Sequence, residues 1–155
     1  MDKQTNIDRL CECFLQTVHQ FGRLEKEMHT YGTEQKLHLS ETHTIAAVGS
    51  YDAINITNLA KLQGVSRSAA SQMVSRLVKK DFIQKKISPK TENEVVLSLT
   101  KNGKKVWQWH EKQHVWLREK LTSIFAEYPG DTLVQLQSLM EKMQAVWKRI
   151  PEQIQ

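Results

Sequence analysis

The sequence predicts a mainly α-helical protein that carries one small β-hairpin. Long stretches near both ends of the chain repeat apolar residues at spacings of three and four, the period of an amphipathic helix. Two short helical patterns lie between them, and two strand-like runs around a polar loop come directly afterwards. With 155 residues, of which 39% are hydrophobic, the chain can bury one sizeable core. We therefore expect a single protomer over residues 1–155.

The first helix is predicted from one apolar stripe that stops before Gly32. Its members are Ile7, Leu10, Phe14, Val18, Phe21, Leu24 and Met28. A short second helix follows, with Ser40 as its N-cap and an end near Gly49.

The middle of the chain predicts a helix, a turn and another helix. Thr57 caps the first of them, which Gly64 closes, and Ser66 opens the second, which runs to about Lys80. A polar loop over residues 88–94 then separates two strands. This arrangement is that of a winged helix-turn-helix, in which the hairpin is the wing.

Two helices are predicted after the hairpin, and together with the first helix they indicate a dimer. Thr100 caps the first of the two, and the second follows the turn at Pro129 and stops at Pro151. These terminal helices carry more apolar surface than a small winged domain can cover. We expect residues 1–32 and 101–155 to form a homodimerisation region and residues 39–100 to form the DNA-binding region. Packing of the first helix on the last helix within one chain is the alternative.

The charge of the chain is concentrated in its middle third. Eleven Lys or Arg residues and only three acidic residues lie between Thr57 and Lys105, whereas the whole chain has a net charge of +5. A local excess of positive charge favours a polyanionic partner. Double-stranded DNA is the simplest candidate.

The sequence also predicts a cytoplasmic protein without a membrane partner. Its apolar runs are shorter than the ~18 residues of a membrane span, and its first residues lead into an amphipathic pattern instead of a signal peptide. Cys11 and Cys13 cannot form a disulfide framework, which fits a reducing compartment. We expect Cys11 to be buried in the apolar stripe, and regulation by its oxidation is an alternative.

The predicted helix over residues 66–80 has the composition of a recognition helix. Its apolar side consists of Ala69, Ala70, Met73, Val74 and Leu77. Its polar side includes Arg67, Ser68, Ser71, Gln72, Arg76 and Lys79. We expect Ser71 and Gln72 to read base edges, because Gln can pair bidentately with adenine. The cations Arg67, Arg76 and Lys79 are expected to bind phosphates.

Several motifs in this order resemble the MarR family of transcriptional regulators over nearly the whole chain. They are Leu59-Ala60, Gly64-Val65-Ser66, Ser71-Gln72, Arg76-Leu77, the wing, and Leu99-Thr100-Lys101-Asn102-Gly103. The resemblance implies a homodimeric regulator, here expected to be a repressor. It also implies terminal helices that form the dimer domain and recognition helices that enter successive major grooves of a pseudo-palindromic operator.

Two positions depart from the usual pattern of the MarR family. Asp81 stands where a Gly is usual, and Asp tolerates the left-handed backbone that ends a helix. Asn93 stands where an Arg near the wing tip is usual. Since Asn carries no charge, Lys90, together with Lys85 and Lys86, is expected to supply more of the contact energy of the wing.

The segment from His110 to His114 matches the H-E-x-x-H motif of zinc metalloproteases. The longer metzincin form of the motif needs Gly and a third His, but Leu117 and Lys120 occupy those positions. A metalloprotease is therefore a distant alternative. We expect no enzyme and assign no catalytic residue.

The two histidines can still chelate a metal, since they lie one helical turn apart. His43 in the second helix and Glu25 in the first helix could complete an N3O set, which suits zinc. Glu25, His43, His110 and His114 resemble the ligand positions of the zinc-sensing branch of the MarR family, which implies zinc as a corepressor. One site per protomer is expected, because Tyr31, Thr42 and Trp109 replace the ligands of the branch's second site.

Two alternatives to metal control remain open from the residues. The histidines could be ordinary surface residues. A small aromatic effector could instead bind beside Tyr31, Tyr51, Trp107 and Trp109, although aromatic residues at helical spacing are more often part of a core.

Overall fold

The structure is a computed structural model that describes residues 2–27, 34–51, 53–88, 91 and 94–148. In these residues it contains six helices and one antiparallel two-stranded sheet. In chain order they are α1 (Lys3–Glu27), α2 (Leu39–Ser50), α3 (Ile56–Gln63), α4 (Arg67–Lys79), β1 (Ile83–Ile87), β2 (Val95–Leu99), α5 (Lys101–Phe125) and α6 (Gly130–Trp147). The predicted fold class, mainly helical with a small hairpin wing, is confirmed.

The chain divides into two compact units, Met1–Gln113 and His114–Gln155. The first unit contains α1 to α4, the hairpin and the beginning of α5. The second unit contains the rest of α5 and α6, and none of the residues of α6 is buried within the single chain. Among the described residues, no helix is both long enough and apolar enough to cross a membrane.

The core of the first unit lies among α2, α3, α4, the hairpin and the start of α5. Its largest fully buried apolar side chains are Phe82, Ile45, Leu59, Leu77, Ile83, Leu97, Val74 and Val106. Each such side chain contributes about 1.5 to 3 kcal/mol when it leaves water. This core therefore fixes the positions of the helix-turn-helix and the inner end of the wing together.

The caps of α2 and α3 differ from those predicted. The helix α2 begins at Leu39, because the carboxylate of Glu41 accepts a hydrogen bond from the backbone N–H of His38 at 3.0 Å. Ser40 is therefore not the N-cap. For α3 the cap is Asn55 instead of Thr57, since the Asn55 side chain accepts from the N–H of Asn58 at 2.8 Å. Asn is the stronger N-cap residue of the two.

The caps of α4 and α5 agree with the sequence. The hydroxyl of Ser66 accepts from the N–H of Ala69 at 3.1 Å, and that of Thr100 accepts from the N–H of Gly103 at 3.1 Å. Gly64 ends α3 in the left-handed conformation with φ 65°. The sharp turn between α3 and α4 depends on this conformation, which Gly adopts without steric cost.

The start of α5 is bound to the start of the wing around Asp81. Asp81 has the left-handed φ of 59°, as its position in the sequence predicts. Its backbone carbonyl accepts from the hydroxyl of Thr100 at 2.7 Å, and its carboxylate accepts from the amide of Asn102 at 2.9 Å. Gly103 leaves room for the neighbouring backbone, because a Cβ there would lie 2.0 Å from the carbonyl oxygen of Phe82.

We predict that Gly103→Ala destabilises the protein by about 2 to 3 kcal/mol, since a backbone carbonyl cannot move away as a flexible side chain can. Urea unfolding measures the change. The matched control is Gly22→Ala on α1, where an added Cβ meets no described atom within 4 Å. The free energy of unfolding of that variant should rise by about 0.5 to 1 kcal/mol, because Ala has a higher helix propensity than Gly. Equal effects of the two substitutions would contradict the packing at Gly103.

Candidate nucleic-acid interface

The helix α4 has one side in the core and one side in solvent. Ala70, Val74 and Leu77 are buried, whereas Met73 is half-buried and Ala69 is exposed. The prediction that Ala69 belongs to the buried side is therefore wrong. The core contacts a narrower strip of α4 than its apolar residues suggest, which leaves a small side chain on the solvent side.

The structure places most of the predicted DNA-reading residues of α4 in solvent. Arg67, Ser68, Gln72, Arg76 and Lys79 are exposed, and Ser71 is half-buried. Arg76 also contacts the sulfur of Met73 at 3.8 Å through its guanidinium. Because Ser68 and Ala69 are small, the backbone of α4 can approach a groove closely. The roles of the individual residues in reading DNA stay predictions.

An ion pair between the buried Glu41 and the partly exposed Lys80 holds the end of α4 against the start of α2. Both carboxylate oxygens of Glu41, which is 3% exposed, lie 2.7 and 2.8 Å from the Nζ of Lys80. Burial alone would raise the pKa of Glu41, but its hydrogen bonds from Lys80 and from the backbone of His38 outweigh burial and hold the pKa below its usual value. Glu41 is therefore ionised at neutral pH and fixes the direction of α4.

The wing places two lysines in solvent. In the register of the hairpin, Lys85 lies opposite Leu97 and Lys86 lies opposite Val96. Both lysines are exposed, while both of their partners on β2 are buried. The other two residues predicted for the wing, Lys90 and Asn93, lie outside the described residues.

Three of the four predicted zinc ligands lie in the first unit. The Oε1 of Glu25 is 3.2 Å from the Nε2 of His43. The rings of His43 and His110 make an edge contact with centroids 5.8 Å apart, and His110 is buried. His114 is exposed and belongs to the second unit.

The geometry of these side chains fits a metal site in part. Two ligands of a tetrahedral zinc ion at about 2.0 Å lie roughly 3.3 Å from each other, close to the separation of Glu25 and His43. Within the described ranges, however, no group of three or more His, Cys, Asp or Glu side chains is placed so that it could hold a metal ion. The structure thus brings a pair of ligand atoms together, with His110 as the next neighbour.

A cavity of about 420 Å³ connects this region with the solvent side of α4. His43 and Ser40 line it from α2, and Gln72, Met73 and Arg76 line it from α4. A group bound at His43 would therefore lie across this cavity from the residues predicted to contact DNA.

The cysteine prediction is wrong for the single chain. Both Cys11 and Cys13 are exposed, because the side of α1 that carries Cys11 is not covered within its own chain.

The aromatic residues predicted to line an effector site do not share one environment. Trp107 packs against the core and against Gly49, whereas Tyr51 and Trp109 are exposed. The fourth, Tyr31, lies outside the described residues.

Comparisons with known proteins agree with this geometry. Residues 37–92, which include the helix-turn-helix and the first strand of the wing, match the sequence model described as the MarR family. This segment is thus similar to the MarR family. The curated relatives include the uncharacterized HTH-type transcriptional regulator YhjH of Bacillus subtilis, which is 23% identical over 81% of this chain and 71% of its own length. Three further HTH-type regulators of Bacillus subtilis are matched over 45%, 60% and 56% of their lengths.

Solved structures of other proteins share the fold of most of this chain. The structure of Streptococcus pneumoniae FabT in complex with DNA has a TM-score of 0.71 at 19% identity, covering 93% of this chain and 99% of FabT. The adhesin competence repressor AdcR of Streptococcus pyogenes has a TM-score of 0.68 at 19% identity, covering 86% of this chain and 95% of AdcR. The curated relatives are described as HTH-type transcriptional regulators, which agrees with the prediction that this chain is not an enzyme.

Proposed function

We propose that this chain is a transcriptional repressor that binds a pseudo-palindromic DNA operator as a homodimer. The observation that carries the proposal is the solvent side of α4, where Arg67, Gln72 and Arg76 are exposed on a helix whose other side is in the core. Arg side chains neutralise phosphates and give affinity, while Gln distinguishes base edges. The DNA-bound state of FabT, which shares the fold, supports a DNA partner.

Gln72→Ala is expected to relax base preference at one operator position. Because a bidentate contact discriminates by about 1 to 3 kcal/mol, the loss should be about 5- to 150-fold at that position. Duplexes selected from a random library with the wild-type protein provide the probe, and binding is measured by fluorescence anisotropy. Lys79→Ala is the control, since loss of a phosphate contact should weaken all duplexes alike and lower the salt dependence. Unchanged base preference in Gln72→Ala would refute the assignment.

The helices outside the DNA-binding region support the homodimer. Ile7, Leu10, Val18 and Phe21 of α1 are all exposed within the single chain. A continuous apolar side of this length is rare on the surface of a monomer. A second copy covers such a side in a two-fold arrangement, and this places residues 1–32 and 101–155 in the dimer region. The same contact would shield Cys11, which lies on α1.

Leu10→Lys tests the dimer, because Leu10 is 60% exposed in the single chain and would be buried in an interface along α1. Analytical ultracentrifugation should show at least about a tenfold weaker dimer, as expected for an unpaired charge in an apolar contact. Gln16→Lys adds the same charge to another side of α1 and should leave association unchanged. A wild-type protein that sediments as a monomer would rule the dimer out.

Zinc is proposed as the corepressor, bound once per protomer. Glu25 and His43 supply two ligand atoms at a suitable separation, His110 is the next neighbour, and the sequence adds His114. Bound zinc would supply a charge that holds the end of α1 and the start of α2 together. Zinc strengthens repression if it binds the DNA-competent arrangement more tightly, and the coupling is then reciprocal.

His43→Ala is expected to abolish the response to zinc. With free zinc buffered at nanomolar levels, the wild type should bind its selected duplex at least about tenfold more tightly, a coupling within the usual range. Isothermal titration with zinc alone gives the direct binding readout. His19→Ala, which removes an exposed histidine of α1, should behave as the wild type does. If zinc leaves DNA binding unchanged, or if His43→Ala responds fully, the corepressor proposal fails.

Two other modes of control, and the cytoplasmic location, stay predictions from the sequence. The exposed thiols of Cys11 and Cys13 in the single chain meet one requirement for oxidation, which is access to solvent. A small aromatic effector is less well supported, because Trp107 packs into the core.

A further inference from the structure

We propose that Asn55 and Glu94 form a latch that sets the position of the wing relative to the recognition helix. The wing latch comprises Asn55 at the start of α3, Glu94 directly before β2, and Thr91 in the loop of the wing. The latch itself is inferred from hydrogen bonds within the protein. Its consequence for DNA binding rests on the proposed function.

Asn55 makes two hydrogen bonds with opposite ends of its amide. Its oxygen accepts from the backbone N–H of Asn58 at 2.8 Å and so caps α3. Its nitrogen donates to the Oε1 of Glu94, which is 39 positions away in the sequence. One side chain thus joins the helix-turn-helix to the wing.

Glu94 is bound through both carboxylate oxygens and through its backbone. Its Oε2 accepts from the hydroxyl of Thr91 at 3.2 Å. Its backbone carbonyl accepts from the N–H of Ser88 at 2.7 Å, and its N–H donates to the carbonyl of Thr91 at 3.3 Å. Glu94 therefore lies where the loop of the wing joins β2, and its side chain ties that junction to α3.

The outer part of the hairpin needs such a contact. The inner end is anchored in the core by Ile83 and Leu99, which are buried and paired with each other. At the outer end the paired residues Ile87 and Val95 are 70% and 49% exposed. Two strands of five residues are marginally stable by themselves, so apolar packing does not fix this end. A backbone hydrogen bond from the N–H of Leu97 to the carbonyl of Ile54 at 2.8 Å holds the middle of β2, and the hydrogen bonds of the latch restrain the outer end beyond it.

The latch also explains an acidic residue in a basic region. A carboxylate near bound DNA repels phosphates, so electrostatics alone predicts that removal of Glu94 strengthens DNA binding. The latch predicts the opposite when the hydrogen bond is lost, because the exposed Lys85 and Lys86 would no longer be held in one position. The sign of the effect separates the two explanations.

Asn55→Asp is the decisive variant, because Asp still caps α3 but places a carboxylate against that of Glu94. Hydrogen exchange in the absence of DNA should show about tenfold faster exchange at the outer end of the hairpin, in residues 86–88 and 94–96. Binding to the duplex selected by the wild type should weaken by about tenfold as well. Asn58→Asp is the matched control. It adds the same charge three positions away on α3 and should change exchange and affinity by at most about twofold.

A reversed pair provides the rescue. In Asn55→Asp with Glu94→Gln, the amide of Gln can donate to Asp, so the latch is restored with donor and acceptor exchanged and the net charge of the wild type is kept. Exchange and affinity should return to within about twofold of the wild type. Glu94→Ala, which leaves the Asn55 cap in place, is a second latch-breaking variant and should show the same faster exchange as Asn55→Asp.

The outcomes distinguish the latch from the proposed function. Equal exchange in Asn55→Asp and Asn58→Asp, or failure of the reversed pair to restore protection, overturns the latch. Faster exchange with unchanged DNA affinity overturns its role in positioning the wing on DNA. If the wild type selects no duplex, the proposed function fails, while the exchange measurements still decide whether the latch exists.

Discussion

The burial of one side of α4 is the constraint on which the rest of the structure depends. Ala70, Val74 and Leu77 lie in the core with residues of α2, α3 and the hairpin. A helix that is buried along one strip must present its remaining surface to solvent. Packing of this core therefore stabilises the domain. It also leaves Arg67, Gln72 and Arg76 exposed to solvent.

Polar contacts fix the relative orientation of neighbouring elements. Apolar packing leaves this orientation free, because hydrophobic burial has no preferred direction. Glu41 and Lys80 hold the end of α4 beside α2. The hydrogen bonds around Asp81 hold the start of α5 beside the wing. Asn55 and Glu94 join α3 to the far end of the hairpin. Each contact crosses between elements and so links the elements around α4 to one another.

The sequence predicted the features that depend on near neighbours in the chain. Gly64, Ser66, Asp81 and Thr100 each have the backbone or cap role that their residue type favours. The caps at Ser40 and Thr57 were wrong, because Glu41 and Asn55 offered better hydrogen bonds one or two positions away. Candidate caps in adjacent positions compete, and only their geometry decides between them.

The sequence by itself determined the mainly helical class, the hairpin and the polar side of the recognition helix, since these follow from periodicity and local hydrogen bonding. Only the tertiary structure decided the exposure of Cys11 and Ala69, the contact between Glu25 and His43, and the ion pair and latch. The partners of the ion pair and those of the latch are each 39 positions apart. No local pattern encodes such pairs, because their distance is set by how the whole core packs.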